Sequence, residues 1–341
     1  MVQGGKRPNL LGKATPKIGV GPQFVENLDR DRGACAVPGC TPDFTMGATA
    51  QGFGQDPWSQ DLLRDVDRLR QGRAPRELYT SSTRAGMMVW EAYARSDAGP
   101  VREHNEDSHL IDVDNGLFIV ADGMGGHAFG EVASRLATDI VHRTLVGERD
   151  PEETRLQRPG DEPDPADVVR ERMRYAMNQA SLLIRKESEQ RPERRGMGTT
   201  LVVLALDGEQ AHLAHVGDSR AYLWRRGRLQ RLTRDHTVVQ QEVDAGRLTP
   251  ELARLLPHKH ILTQSVGFHG PVEPDTSTRM VDGGDVFILC SDGLTDPMDD
   301  VALQAVLHEV PSDQIANVLV EEALRRGTED NVTVVAVFAR D

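Results

Sequence analysis

The stretch from Phe118 to Ala137, FIVADGMGGHAFGEVASRLA, has the pattern of a strand, a tight turn and a helix in immediate succession. It begins with an apolar run that is typical of a buried strand, and this run ends on the carboxylate of Asp122. A glycine-rich turn follows, and helical spacing of apolar residues resumes near Gly130. A buried strand that ends on an acid predicts that the acid lies at the edge of a sheet, where its charge can serve a site.

Further acidic sites stand beside apolar runs elsewhere in the chain. They are Asp292 after the run Val286–Cys290, Asp330 before the run Val332–Phe338, and the pair Glu106-Asp107 before a short strand pattern. A sheet can direct such side chains at a common centre, and without a cation the cluster would repel itself and lose hydration. The sequence therefore predicts a divalent cation among these acids.

The type of ligand selects the metal. Carboxylate and carbonyl oxygens, without Cys or His at a consistent spacing, favour Mg²⁺ or Mn²⁺ over Zn²⁺. The glycines after Asp122 and Asp292 let the backbone turn tightly and bring a carbonyl oxygen towards an ion. Arg102 lies close before Glu106, and its planar guanidinium is suited to hold a phosphate. Together these residues indicate a phosphoryl substrate, on which two metal ions about 4 Å apart can activate water for in-line attack.

Strand patterns interleaved with a few long helical patterns predict an α+β layered domain over residues 89–341. Strand patterns occur at 117–121, 200–206, 211–216, 221–224, 286–290 and 332–338, and Asp207-Gly208 and Arg226-Gly227 are placed for hairpin turns. Helical patterns cover 131–145, 167–189 and 312–326, and the Pro- and Asp-rich segment 158–167 is expected to be a loop.

Residues 1–88 differ in composition from the rest of the chain. They are rich in Gly, Pro and polar residues and are predicted to form an extension that is mostly disordered or loosely docked. One short helix is expected near 59–71, with Ser59 as its N-cap and Gly72 as its stop.

Charge and composition exclude several classes of protein. Lys and Arg number 40 against 53 Asp and Glu, so the net charge of −13 argues against binding to nucleic acid or to anionic membranes. No apolar run approaches the roughly 18 residues of a membrane span, and the N-terminus lacks a signal-peptide pattern. The 3 cysteines do not form a disulfide framework. We therefore expect a cytoplasmic protein without nucleic-acid or membrane partners.

Eight motifs occur in a recognisable order along the chain: VREHNEDS, VADGMGGHAFGE, GMGTTLVVL, AHVGDSRAYLW, LTRDHTVVQ, LTQSVG, CSDGLTD and EDNVTVV. In this order they resemble the metal-dependent protein Ser/Thr phosphatases, the PPM or type-2C family, and its bacterial branch most of all. The resemblance covers roughly residues 92–339. It implies a four-layer α-β-β-α fold, in which a central antiparallel β-sandwich is flanked by helices and holds two metal ions at one end.

The resemblance also implies a role for each matching residue. Asp122 would bridge two Mn²⁺ or Mg²⁺ ions, Gly123 would offer its carbonyl to one of them, and Glu106 would contact that ion largely through water. Asp292 and Asp330 would complete the shell of the other ion.

The remaining matching residues would act on substrate and solvent. Asp107 would order metal-bound waters, Arg102 would hold the substrate phosphate, and Asp218 would orient neighbouring backbone. The implied reaction is hydrolysis of phosphoserine or phosphothreonine by a metal-bridging hydroxide, with no phosphoenzyme, in which Arg102, Asp107, Asp122 and Asp292 would be the catalytic residues. A eukaryotic-like Ser/Thr kinase and its substrates are the implied partners.

Some positions depart from the family pattern. Met124 stands where many eukaryotic members have His, so a metal-bound water or His127 would protonate the leaving oxygen. Only Glu193 precedes the GMGTT motif where bacterial members use an aspartate for a third ion, which makes a third ion doubtful. His260 stands where relatives often show asparagine, and no role follows from the sequence.

The segment 234–260 matches the flap that lies beside the active site in this family. It is expected to be rich in loops, with one short helix, and such excursions usually tune the choice of substrate. His236 within it is expected to cap a helix or pack rather than to contact substrate.

The sequence argues against four other functions. A cysteine phosphatase would need Arg six residues after Cys290, where the chain has Asp296, so Cys290 is expected to be a core residue. A pseudophosphatase that binds phosphoproteins would need a broken acidic set. A phosphatase of anti-sigma-factor antagonists would need a sensory domain, which residues 1–88 do not resemble, and a two-metal nuclease is disfavoured by the negative charge.

Overall fold

The computed structural model describes residues 78–80, 88–125, 129–147, 164–268 and 270–340. Within these ranges the chain forms two antiparallel sheets. The first sheet has the order β1 (Leu78–Thr80), β2 (Val89–Asp97), β12 (Val332–Arg340), β11 (Val286–Cys290), β8 (Arg220–Arg225) and β9 (Arg228–Arg231). The second has the order β10 (Asp275–Met280), β7 (Gln210–Val216), β6 (Leu201–Asp207), β4 (Leu117–Met124) and β3 (Asp107–Asp112), and the short β5 (Gly198–Thr199) pairs with β4.

Helices cover the outer face of each sheet. Helices α1 (Gly130–Val146) and α2 (Pro165–Gln190) pack on the second sheet. On the first sheet lie α6 (Asp300–Glu309) and α7 (Ile315–Arg325). Three short helices, α3 (Val238–Asp244), α4 (Pro250–Leu255) and α5 (Asp292–Thr295), occur in connections, and two 3₁₀ turns span Pro192–Arg194 and Ser312–Gln314. The four-layer α-β-β-α prediction is confirmed.

The main core lies between the two sheets. Phe118 of β4, Leu204 of β6 and Phe287 of β11 belong to one buried apolar cluster. A second cluster fills the space between the first sheet and its helices, and it includes Ile288 of β11 and Leu319 of α7. Because β11 contributes alternate residues to both clusters, its sequence reads as a continuous apolar run rather than as an alternation.

Both hairpin turns form where the sequence predicted them. Asp207 pairs with Gln210 across the β6–β7 turn, in which Gly208 has a φ of 56°. Arg226 and Gly227 have φ values of 50° and 75°, so both central residues of the β8–β9 turn are left-handed, as a type I′ turn requires.

Two predictions about local structure were wrong, one about where a loop ends and one about the number of helices in the flap. The loop expected over 158–167 ends earlier, because α2 begins at Pro165. Proline is suited to the first position of a helix, where its missing N–H group would have no helical acceptor. The Asp164 carboxylate caps the helix by accepting from Ala166 N at 3.0 Å. The flap has two short helices, α3 and α4, instead of one. Thr237 and Thr249 cap them, each accepting from the backbone N–H three residues on.

The first sheet reaches back into the segment that was assigned to the extension. Strand β1 pairs with β2, with Leu78 opposite Tyr93 and Thr80 opposite Glu91. The predicted helix near 59–71 and His127 lie outside the described residues. In the described part of the chain, no helix combines the length and the hydropathy that crossing a membrane requires.

Candidate metal centre

Two neighbouring strands bring the first pair of acids together. Asp107 is the first residue of β3 and lies directly opposite Asp122 in the β3–β4 register. The Asp107 side chain is buried, and Asp122 is held at the end of its strand because its N–H donates to the Thr200 hydroxyl at 3.0 Å and its C=O accepts from Thr200 N at 2.8 Å. Two carboxylates on opposing positions of adjacent strands are close enough to repel each other.

The glycine after Asp122 permits a close crossing of three segments. Gly123 N donates to the Glu106 carbonyl at 3.2 Å, and a Cβ atom on Gly123 would lie 2.2 Å from the carbonyl oxygen of Gly130. A Cβ on Gly130 would in turn lie 2.8 Å from Oε2 of Glu106. The Glu106 carboxylate therefore lies against the junction of β4 and α1, next to Gly123.

A serine hydroxyl connects this pair to the other sheet. Ser291 precedes α5, and its hydroxyl donates to Oδ2 of Asp107 at 2.8 Å while accepting from Thr333 N at 2.9 Å. Asp292 is the first residue of α5. A Cβ on Gly293 would lie 2.0 Å from the Asn331 carbonyl oxygen, so α5 and the start of β12 are in backbone contact. The two sheets thus bring Asp107, Asp122, Asp292 and Asp330 to one end of the sandwich.

Asn331 fixes the loop that carries Glu106, and the sequence assigned it no such role. Its amide donates to the carbonyl oxygens of Ala98 and His104, both at 2.9 Å, and its Oδ1 accepts from Glu106 N at 2.8 Å. One side chain therefore satisfies three backbone groups of the same loop. Asn331 belongs to the EDN motif, which could have indicated a special role, but an asparagine before a strand is also typical of an ordinary turn.

The electrostatics of the two buried acids, Asp107 and Asp122, show whether a cation would fit between the carboxylates. The pKa of Asp107 is raised to about 7, mainly by burial; hydrogen bonds from Thr333 and Ser291 lower it, and the charges of Asp292 and Asp330 add smaller increases. Burial, followed by the charge of Asp107, also raises the pKa of Asp122 well above its usual value. Oδ1 of Asp107 and Oδ1 of Asp292 are buried and have no hydrogen-bond partner among the residues that the structure describes. An all-oxygen set with unsatisfied acceptors fits hard divalent cations.

Two further side chains join the centre. Ligand atoms of Asp218, His260 and Asp292 all lie within 4.8 Å of one another. The Asp218 carboxylate lies near that of Asp292, and burial, followed by the charge of Asp292, raises its pKa. Its expected role in orienting neighbouring backbone stays a prediction. His260 Nδ1 lies 3.2 Å from Oδ2 of Asp292, and this hydrogen bond raises the pKa of His260.

Arg102 lies at the mouth of the centre. Its guanidinium contacts Oδ2 of Asp330 at 2.7 Å, and both side chains are partly exposed. An exposed ion pair of this kind contributes only about 0.2–1 kcal/mol, so Arg102 can exchange this carboxylate for a phosphate at little cost.

Two residues have the structural roles that the sequence favoured. The His236 ring stacks on His215 with centroids 4.8 Å apart, and its Nδ1 accepts from Gly217 N at 3.2 Å. Cys290 is buried in β11, and burial raises its thiol pKa to about 12. His236 therefore packs, and Cys290 is a core residue.

Comparison with known proteins is consistent with this geometry. Residues 101–326 match the family model described as protein phosphatase 2C. The serine/threonine protein phosphatase PstP of Mycobacterium tuberculosis is 39% identical over 254 residues, which are 74% of this chain and 46% of PstP, so the chain spans about half the length of that relative. The serine/threonine phosphatase stp of Listeria monocytogenes is 35% identical over 247 residues, which are 71% of this chain and 93% of stp.

Solved structures show the same fold. The crystal structure of M. tuberculosis PstP/Ppp has a TM-score of 0.65 at 38% identity and aligns with 74% of this chain and 99% of that one. The PstP catalytic domain in complex with two manganese ions has a TM-score of 0.62 at 37% identity and aligns with 75% of this chain and 100% of that one. The match of residues 101–326 and the extent of these similarities establish that the chain belongs to the protein phosphatase 2C family.

Proposed function

We propose that this protein is a metal-dependent protein serine/threonine phosphatase that hydrolyses phosphoserine and phosphothreonine in proteins. The observation that carries the proposal is the convergence of Asp107, Asp122, Asp292 and Asp330 at one end of the sandwich. Within the described ranges, one buried oxygen each of Asp107 and Asp292 has no hydrogen-bond partner. The activities named for PstP and stp support the same chemistry. The acidic set is complete, so nothing in the described residues favours a pseudophosphatase.

The chain offers a defined set of ligands for two Mn²⁺ or Mg²⁺ ions. Asp122, Asp292, Asp330, the Gly123 carbonyl and Glu106 would hold them, and the manganese-bound PstP structure supports this metal. When bound, such a pair supplies Lewis acidity that activates water and neutralises phosphoryl oxygens.

The protein groups around the ligands keep them in place. The Ser291 hydroxyl orients Asp107, and the Asn331 amide holds the loop that carries Glu106. A site built on strand ends and backed by these hydrogen bonds is preorganised, which lowers the reorganisation needed during reaction.

Arg102 binds the substrate phosphate in this proposal. It lies beside Asp330 through a single partly exposed ion pair, so a phosphate dianion entering the centre can replace the carboxylate as its partner. The guanidinium then orients the phosphate without taking part in proton transfer, because it stays charged at all relevant pH values.

The physiological partners are proposed from the family. We expect the substrates to be proteins phosphorylated on Ser or Thr by a bacterial kinase that this phosphatase opposes. The net charge of −13 supports the absence of a nucleic-acid partner.

The test is hydrolysis of a phosphothreonine peptide by the full chain with Mn²⁺. We expect turnover in the wild type and a loss of at least about 10³-fold in kcat/KM for Asp122→Asn and Asp292→Asn. Asp207→Asn, which alters an exposed acid in the β6–β7 turn, is the matched control and should retain activity.

Other results would change the assignment. A wild-type chain that binds Mn²⁺ without turning over the peptide would be a pseudophosphatase. Cleavage of nucleic acid in place of the phosphopeptide would indicate a two-metal nuclease.

A further inference from the structure

The flap, residues 234–260, is an excursion of the chain between β9 and β10 that closes on its own backbone. At its base, Val238 N donates to the Ile261 carbonyl at 2.9 Å and Thr263 N donates to the His236 carbonyl at 2.8 Å. These bonds join the two ends of the excursion to each other. They do not determine where helices α3 and α4, which form its body, lie relative to the metal centre.

The body of the flap is fastened to α5 by side chains. Arg254 of α4 donates to the carbonyl oxygen of Thr295 at 3.0 Å, at the C-terminal end of α5. Lys259 forms an ion pair of 2.9 Å with Oδ1 of Asp296, the residue that follows α5. Cations at the C-terminus of a helix also meet the negative end of its dipole.

The segment that receives these contacts also carries the metal centre. Helix α5 is four residues long, so it spans about 6 Å, and it begins on Asp292. His260 adds a direct hydrogen bond to Asp292. The flap is therefore attached to the same short helix that carries Asp292, a candidate metal ligand.

A cavity of about 400 Å³ separates the flap from α5 and α6. Val239, Val243 and Ala253 line it from the flap, and Asp292, Asp296 and Val301 line it from the other side. A phosphate ester with a small leaving group needs only the centre itself. A phosphoprotein segment continues past the phosphate, and the cavity directly adjoins Asp292, so the flap forms the wall that such a segment meets.

We infer that Lys259 and Arg254 are positioning residues that hold the flap beside the metal centre and so make the enzyme favour phosphoproteins over small phosphate esters. The inference rests on the proposed phosphatase function. An unfastened flap would have to be ordered each time a protein segment binds, which raises KM, whereas the chemistry at the phosphate is unchanged.

The test compares two substrates in the full chain with Mn²⁺. For the double variant Lys259→Met/Arg254→Met, we expect kcat/KM for a phosphothreonine peptide to fall about tenfold, mainly through KM, and kcat/KM for an aryl phosphate to change less than about twofold. The conservative variant Lys259→Arg should keep the ion pair with Asp296 and retain most of the wild-type ratio of kcat/KM between the peptide and the aryl phosphate.

A matched control lies within the flap itself. Arg247 pairs with Glu242 at 2.5 Å, so both partners belong to the flap and neither reaches α5. Arg247→Met should leave the activities on both substrates unchanged. Amide hydrogen exchange of residues 238–262 gives a second readout, since the double variant should exchange faster there than the wild type while its Tm stays the same.

The results separate this inference from the proposed function. Equal losses on both substrates would overturn it, because Lys259 and Arg254 would then act through the metal centre, and an unchanged peptide KM would overturn it as well. If the wild type hydrolyses neither substrate, the phosphatase proposal itself is wrong, and the flap inference, which rests on it, is wrong as well. If the wild type hydrolyses both, only the flap inference is at stake. Unaltered hydrogen exchange in the double variant would show that these residues do not hold the flap.

Discussion

The sharpest test of the metal centre uses the metal-free protein. The perturbation is Asp107→Asn. In the structure Asp107 is buried, its Oδ2 accepts from the Ser291 hydroxyl, and its Oδ1 has no hydrogen-bond partner in the described part of the chain. Without a cation the folded protein therefore holds a carboxylate whose charge is poorly solvated and repelled by Asp292 and Asp330.

The magnitude follows from the pKa of this group. Burial raises the pKa of Asp107 from 3.8 to about 7. This is a difference of about 3 pKa units, or about 4 kcal/mol at about 1.4 kcal/mol per unit. Between these two pKa values the folded state binds a proton that the unfolded chain has released, so the contribution of Asp107 to stability falls as pH rises. The penalty is absent below about pH 4 and complete above about pH 7.

Asparagine does not titrate, so the variant lacks this dependence. The free energy of unfolding of Asp107→Asn, minus that of the wild type, should increase by about 4 kcal/mol between about pH 4 and pH 8. Urea denaturation in the presence of a chelator measures it, and with a slope of about 3 kcal/mol/M the change corresponds to about 1 M in midpoint. Asp207→Asn is the control for loss of an exposed acid. Parallel pH profiles for the Asp107 variant and the wild type would refute the reasoning.

Other perturbations probe separate parts of the site and the fold. Arg102→Ala should raise KM for a phosphopeptide more than it lowers kcat, and a large loss of kcat at unchanged KM would contradict a role in phosphate binding. Gly123→Ala should cost at least about 3 kcal/mol of unfolding free energy, because its Cβ would lie 2.2 Å from a backbone oxygen, whereas Gly208→Ala, with open space around it, should cost about 1 kcal/mol for its positive φ. Chelation should abolish activity while the far-UV circular dichroism stays near that of the metal-loaded protein, since the apolar core contains no metal ligand; global unfolding would disprove this separation. Deleting residues 1–73 should leave peptide hydrolysis within several-fold of the full chain, and deleting 1–85 should in addition lower Tm, because it removes β1 from the edge of the first sheet.

The sequence was most informative where a residue's role depends on its immediate neighbours. The strands at Leu117 and Val286, the type I′ turn at Arg226-Gly227 and the acids at strand ends all follow from local patterns of polarity and glycine. Alternation, apolar runs and turn residues act over a few positions, so they are visible in one sequence. The family motifs added the identity of the acids, since their order along the chain is specific.

Tertiary structure alone decided how these pieces are joined. Asn331 binds Glu106 across 225 positions of sequence, and Ser291 binds Asp107 across 184. Neither bond leaves a specific local signal, because it depends on which strand ends meet when two sheets stack.

The same limit applies to the surroundings of the flap and of Asp218. The attachment of Lys259 and His260 to α5, and the direction in which the Asp218 carboxylate points, depend on the packing of a loop against a distant helix. The sequence by itself therefore determined the fold class and predicted the acids that converge at the centre. Only the folded chain decided which hydrogen bonds hold those residues and which surface lies beside them, because long-range contacts arise from packing and not from periodicity.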